Sequence, residues 1–272
     1  MSAKKCIFAN LLHAAHTAAV CQNRQIMTYP VLNIFGKEVR SFFTTPTGYI
    51  VLAVFFVGAA LFLWVFPGEY NVLDNGYANI DGLFVLAPWL FLFLCPAVTM
   101  RTIAEERQQG TLELLLTRPL SAWQLVAGKF LASWCVIALA LVPALLWFGA
   151  VYIMAEPIGN VDAGAFWGSF VGLVLLAAVY SAIGVFGSSV AGNQISAFVV
   201  SALICFGLLY GFDLIGSLFE SGSLMLYLKN LGIDAHYRSM SRGVLDSRDV
   251  LYMILLTFIF LAAAKMVVVR KR

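Results

Sequence analysis

Charge is what this sequence has least of: 17 Lys and Arg with 14 Asp and Glu make up 11% of its 272 residues, against roughly 25% in a soluble domain. With 61% hydrophobic residues and a mean hydropathy of +0.89, the chain carries more apolar surface than a soluble core could bury. Other absences exclude chemistry. The three histidines, His13, His16 and His236, stand without the neighbouring ligands a metal site needs. No HExxH occurs, and no nucleophile stands beside a base, so an intramembrane enzyme has nothing to work with. A P-loop needs GxxxxGK[ST], whose glycines let backbone amides cradle phosphate. At Gly128-Lys129, Trp123 occupies the first Gly position and Phe130 the Ser/Thr position. No catalytic, cofactor-binding or metal residue is therefore assigned to this chain. Cys95, Cys135 and Cys205 fall in apolar runs and read as small apolar side chains, and no disulfide is expected.

The apolar residues are gathered into long runs. No charge lies between Arg40 and Glu69, Asp81 and Arg101, Lys129 and Glu156, Asp162 and Asp213, or Asp249 and Lys265. Crossing the ~30 Å hydrocarbon layer takes about 20 apolar residues. The fourth gap holds 50 residues, enough for two spans divided by the turn-forming stretch Ala191-Gly192-Asn193-Gln194. The expected fold is all-α: a polytopic membrane protein of six helices at 47 to 66, 82 to 100, 130 to 154, 164 to 190, 195 to 214 and 250 to 268. The runs lack the alternation of barrel strands.

Lys and Arg set the orientation. Thirteen fall before the first span, in the loop 101 to 129 or in the C-terminal tail, and four fall in the loop 213 to 249. Both termini and the loop 101 to 129 are thus expected in the cytoplasm, where Cys6 and Cys21 would stay reduced. The net charge of +3 is a topology signal and marks no nucleic-acid surface.

The chain divides into an N-terminal extension, 1 to 28, and a six-helix domain, 29 to 272. Lys4 and Lys5 before Ile7 to Val20 resemble a secretory signal, but Asn10, His13, His16 and Thr17 interrupt its core. The segment reads better as a loose extension, or as a start placed too early with Met27 the true one. From Val31, apolar Ile34, Phe35, Val39, Phe42 and Phe43 alternate with Lys37, Glu38 and Arg40 at helical spacing, as in an amphipathic interfacial helix. Pro46 separates it from the first span. Pro88, Pro96 and Pro143 should bend their helices. Gly164, Gly168 and Gly172 form a double GxxxG suited to close helix approach within or between subunits. Leu224, Met225, Leu226, Leu228 and Leu231 are too apolar for a solvated linker, and Gly232 could end a short helix there.

The loop from Arg101 to Phe130 is the most informative stretch. Arg101 and Glu105 are spaced to support a helical extension of the second span, and Gly110 invites a break. Leu112, Leu114, Leu115 and Leu116 then present more apolar surface than a solvated helix needs, which calls for a partner. Ser121 and Gln124 match a capping box. Read by residue chemistry alone, Glu105, Glu106, Arg107 and Glu113 fit either a solvated loop or the rim of a contact.

EERQQGTLELLLTRPLS resembles the cytoplasmic segment of type-2 ATP-binding-cassette (ABC) transporter permeases, and more narrowly of the gliding-motility-associated permeases called GldF. KEVRSFFTTPTGYI, YANIDGLF, GSSVAGNQISAF and LGIDAHYRSMSRGVLDSRDVLY resemble successive stretches of the same family, covering roughly 33 to 270. The resemblance implies a permease of a bacterial inner membrane, most simply an exporter, that pairs with a second permease copy or homologue. A separate cytoplasmic ABC ATPase would use the ATP. The partner contact it implies is a coupling helix comprising Glu105, Glu106, Arg107, Gly110, Thr111, Leu112, Glu113, Leu115 and Leu116. Before the last span the family's chain dips toward the membrane. An ion-coupled carrier would place Asp, Glu or His inside spans, and none of the six has one at its centre. A non-transporting membrane anchor is compatible with the composition, and only the resemblance argues against it.

Overall fold

The computed structural model describes residues 30–74, 76–111, 121–218 and 229–270. The N-terminal extension and most of the apolar stretch at 224 to 231 lie outside them. Among the described residues there are helices and no strands. An amphipathic helix α1 (Pro30–Thr44) comes first. Thr45 leaves helical geometry, and Pro46 opens α2 (Pro46–Ala60), where its missing N–H costs nothing. The second span begins as α3 (Asp81–Thr99) and resumes as the short α4 (Ala104–Gln108). The third consists of α5 (Ala122–Ala140) and α6 (Val142–Met154), the fourth of α7 (Ala163–Val190). The fifth joins α8 (Gln194–Phe206) to α9 (Phe212–Ser217) through a π-helical turn. After α10 (Ile233–Met240), the last span is α11 (Ser247–Arg270).

Among the described residues, six helices are long and apolar enough to cross a membrane: Gly48–Val65, Asp81–Gln108, Ala122–Met154, Ala163–Val190, Gln194–Ser217 and Ser247–Arg270. The second and fourth have 67% of their most apolar window buried and the first, fifth and sixth 22%, which makes the former pair the centre of the bundle. Small residues on α7 allow this. A side chain at Gly184 would strike Thr99, and one at Gly187 would strike Ser201. Pro143 falls in the first turn of α6, and the third span is interrupted at Leu141 just before it. Pro88 and Pro96 lie inside α3, which continues through both.

Of the GxxxG glycines, two serve contacts within the chain. A Cβ on Gly172 would stand 2.8 Å from Met240 Cβ, and one on Gly168 would overlap the backbone of Gly243. They seat α10 against α7. There Ile233, Tyr237 and Met240 are buried, the Tyr237 hydroxyl donates to the Phe84 carbonyl at 2.6 Å, and Ser169 donates to the Ser241 carbonyl at 2.9 Å. Gly164 makes no such approach to a neighbouring helix. The segment before the last span is thus packed on the bundle where it is described. Gly232 lies between a helical turn ending at Leu231 and the start of α10. Burial raises the carboxyl pKa of Asp234 on α10, opposed by its 2.7 Å bond from Arg238.

Candidate functional site

At the opposite end of the bundle, three elements meet at Lys129. The capping box at Ser121 and Gln124 forms as the sequence requires, with bonds of 3.0 and 3.2 Å. The helix therefore starts at Ala122, and Lys129 falls two turns inside the third span. The span thus starts eight residues before the expected 130, and Lys129 belongs to the helix, not to the loop. Its side chain is 1% exposed. The ammonium lies 2.7 Å from Glu38 Oε1 of α1 and 2.9 Å from Glu106 Oε1 of α4, and it donates to the Thr102 carbonyl. Gly128 makes room for this junction, since a Cβ there would stand 2.9 Å from Ile34 of α1. Lys37 approaches Glu106 at 3.8 Å, but its 67% exposure leaves that pair largely screened.

Between Met100 and Ile103 the second span leaves regular α-helical geometry, and Ser188 of the fourth span serves the backbone there. Its hydroxyl accepts from the amides of Ile103 and Ala104, both at 3.0 Å, and donates to the Met100 carbonyl at 3.1 Å. Arg107 adds a 3.3 Å bond to the Ala191 carbonyl beyond the end of that span. Gly110, at φ +69°, then ends the extension in a left-handed conformation suited to glycine.

The structure divides the expected coupling residues. Glu106 and Arg107 turn inward to Lys129 and Ala191. Neither is a freely solvated loop charge. Glu105 accepts from Gln109 at 3.3 Å, and its backbone amide donates to the Arg101 carbonyl at 3.4 Å. Gln109 and Gly110 are exposed, and Thr111 donates to the Glu106 carbonyl at 3.1 Å. Leu112, Glu113, Leu115 and Leu116 lie outside the described residues. Lys129, Glu38 and Ser188 were not expected here. At this same end, Lys265 of the last span lies 5.3 Å from the Trp123 ring centroid, a cation–π contact. A cleft of about 280 Å³ opens among α1 and the first three spans.

Six apolar spans with an ion-paired platform at one end and a short helix packed on the bundle at the other define a multi-pass helical membrane protein. Comparison with known proteins narrows the class. The family model described as ABC-2 family transporter protein matches residues 44–265, and the chain belongs to that family. It is 33% identical over 142 residues to a Pseudomonas aeruginosa protein named probable ABC transporter permease protein NosY, a match covering 48% of this chain and 50% of that protein. The chain thus spans about half the length of the curated relative it matches.

Proposed function

We propose that this chain is a permease subunit that receives the ATPase's motion through the segment Glu105 to Leu116, while the hydrolysis of ATP belongs to the partner. The supporting observation is the anchoring of that segment's root. Glu106 and Arg107 are tied to the third span and to the turn after the fourth, so force on the loop beyond Gly110 would be delivered to the bundle. Leu112, Leu115 and Leu116 would supply the apolar contact, with Glu105 and Glu113 at its rim. In this reading the Lys129 end faces the cytoplasm of a bacterium, across its inner membrane, as the 13 to 4 division of Lys and Arg favours. Transport runs outward, with a second permease copy or homologue completing the path.

The finer placement beside the gliding-motility-associated permeases rests on the motifs quoted above; the matched relative carries a different name. The test is capture of the ATPase. Replacing Leu112 and Leu115 together by Asp should abolish it, since loss of each buried hot spot costs about 2 kcal/mol or more, while membrane insertion survives. Unchanged affinity in the double variant would overturn the assignment.

A further inference from the structure

We propose that the cleft beside Lys129 binds a phosphoethanolamine group, carried in the first instance on a lipid of the surrounding bilayer. At about 280 Å³, its volume lies near the lower end of small-ligand pockets, about 300 Å³, which suits a headgroup. Its wall carries three cationic side chains, Lys37, Arg101 and Lys129, and three carboxylates, Glu38, Glu105 and Glu106. A ligand of one sign would meet no net complement there. A ligand holding both signs, a few ångströms apart, would.

Two atoms specify the signs. Arg101 Nε, a donor, and Glu106 Oε2, an acceptor, are buried and have no hydrogen-bond partner. Buried polar atoms in native structures are nearly always partnered. Glu106 Oε1 is already held by Lys129, so the second oxygen still requires a donor, and the guanidinium still requires an acceptor. A phosphate oxygen satisfies Arg101, and a primary ammonium, with three N–H donors, satisfies Glu106. Choline has no N–H to give, and a glycerol headgroup has no cation. On the membrane side, the cleft is walled by Phe42, Val51, Val98 and Val136, which suits the acyl side of a lipid lying beneath the amphipathic α1. The site does not depend on the ATPase contact proposed above.

The test uses the full-length protein, purified in detergent, stripped of lipid and examined by native mass spectrometry. Phosphatidylethanolamine, phosphatidylcholine and phosphatidylglycerol are each titrated, and free phosphoethanolamine is added as competitor. Phosphatidylethanolamine should bind at least about tenfold tighter than the other two, the factor expected for one charge-assisted hydrogen bond. Arg101→Gln takes away the phosphate's partner, which all three lipids share, and should weaken phosphatidylethanolamine binding by about tenfold. Ser41→Leu, which fills the cleft from α1, should block binding by bulk without touching the ion pairs. Displacement by free phosphoethanolamine at equal concentration would assign the soluble compound as occupant, and resistance to it the lipid; both keep the recognised group. Equal binding of all three lipids overturns the proposal. So does undiminished binding in both variants, or no bound phosphoethanolamine compound with water as the sole occupant.

Discussion

Replacing Lys129 by Met tests whether the charged end is held by its central ammonium. The substitution preserves the length of an unbranched side chain and removes the cation from between Glu38 Oε1 at 2.7 Å and Glu106 Oε1 at 2.9 Å. It also leaves the Thr102 carbonyl without that donor. Deleting one partner of a buried ion pair costs about 3 to 5 kcal/mol, because the other charge stays buried without compensation. Here two carboxylates are left, but they keep 20% and 13% exposure, and water entering by the cleft would recover part of their solvation. We therefore expect about 3 kcal/mol, the lower end of that range. The measurement is equilibrium unfolding in mixed micelles, with helicity as the readout. Adding Glu38→Gln and Glu106→Gln to Lys129→Met should bring stability back to within about 1 kcal/mol of wild type, since neutral replacement of a whole buried ion-pair set is often tolerated. A Lys129→Met protein within about 0.5 kcal/mol of wild type, the range of an ordinary surface substitution, would refute the reasoning. A triple variant as unstable as the single one would assign the loss to packing instead of unpaired charge.

Other expectations follow from the same contacts. A cysteine at position 108 should react with an impermeant thiol reagent only from the cytoplasmic side, and labelling from outside intact cells would invert the topology. Gly172→Val should push Met240 away from α7 and cost about 1 to 3 kcal/mol, as overpacking does, with faster amide exchange across 233 to 240; unchanged exchange would mean that α10 is not seated there. Tyr237→Phe removes the 2.6 Å bond to the Phe84 carbonyl and should cost about 1 to 3 kcal/mol by leaving that acceptor unsatisfied, as read by the same unfolding assay.

The spans were legible in the sequence because a hydrocarbon layer imposes length and polarity together. Five of the six begin within three residues of the limits that charge gaps suggest. The third does not, for a specific reason. The charge of Lys129 closes that gap, yet the capping box at Ser121 marks a helix start two turns before it. A helix beginning at Ala122 must carry Lys129 inside it, and a lysine there needs partners. Those partners, Glu38 and Glu106, are 91 and 23 residues away by their numbering, a separation that no local pattern reveals. Ser188 was hidden for a similar reason. Serine in an apolar helix usually bonds to its own preceding turn, as Ser181 does to Ala177 at 2.6 Å, and only the irregular backbone at 100 to 103 gives Ser188 another task. The GxxxG signal was correct about close approach, but it could not say that the approaching backbone is Gly243 of the same chain.

These contacts constrain how movement could cross the charged end. The chain leaves the second span at Gly110 and enters the third at Ser121, so both ends of the intervening segment are fixed to the bundle. Displacing that segment must therefore either shift the second span relative to the third or carry both together. The first course would stretch the Lys129–Glu106 pair and uncover a buried ammonium, at a cost of several kcal/mol. The second meets no such penalty, and because Lys129 also holds Glu38, α1 would be carried with them. The fourth span is tied to the second by Ser188 through three hydrogen bonds to backbone atoms, so it too would follow. The first span is joined to α1 through the break at Thr45 and Pro46, where Gly48 packs closely against the Phe42 carbonyl. A push at this end would thus move the second, third and fourth spans with α1 as one body.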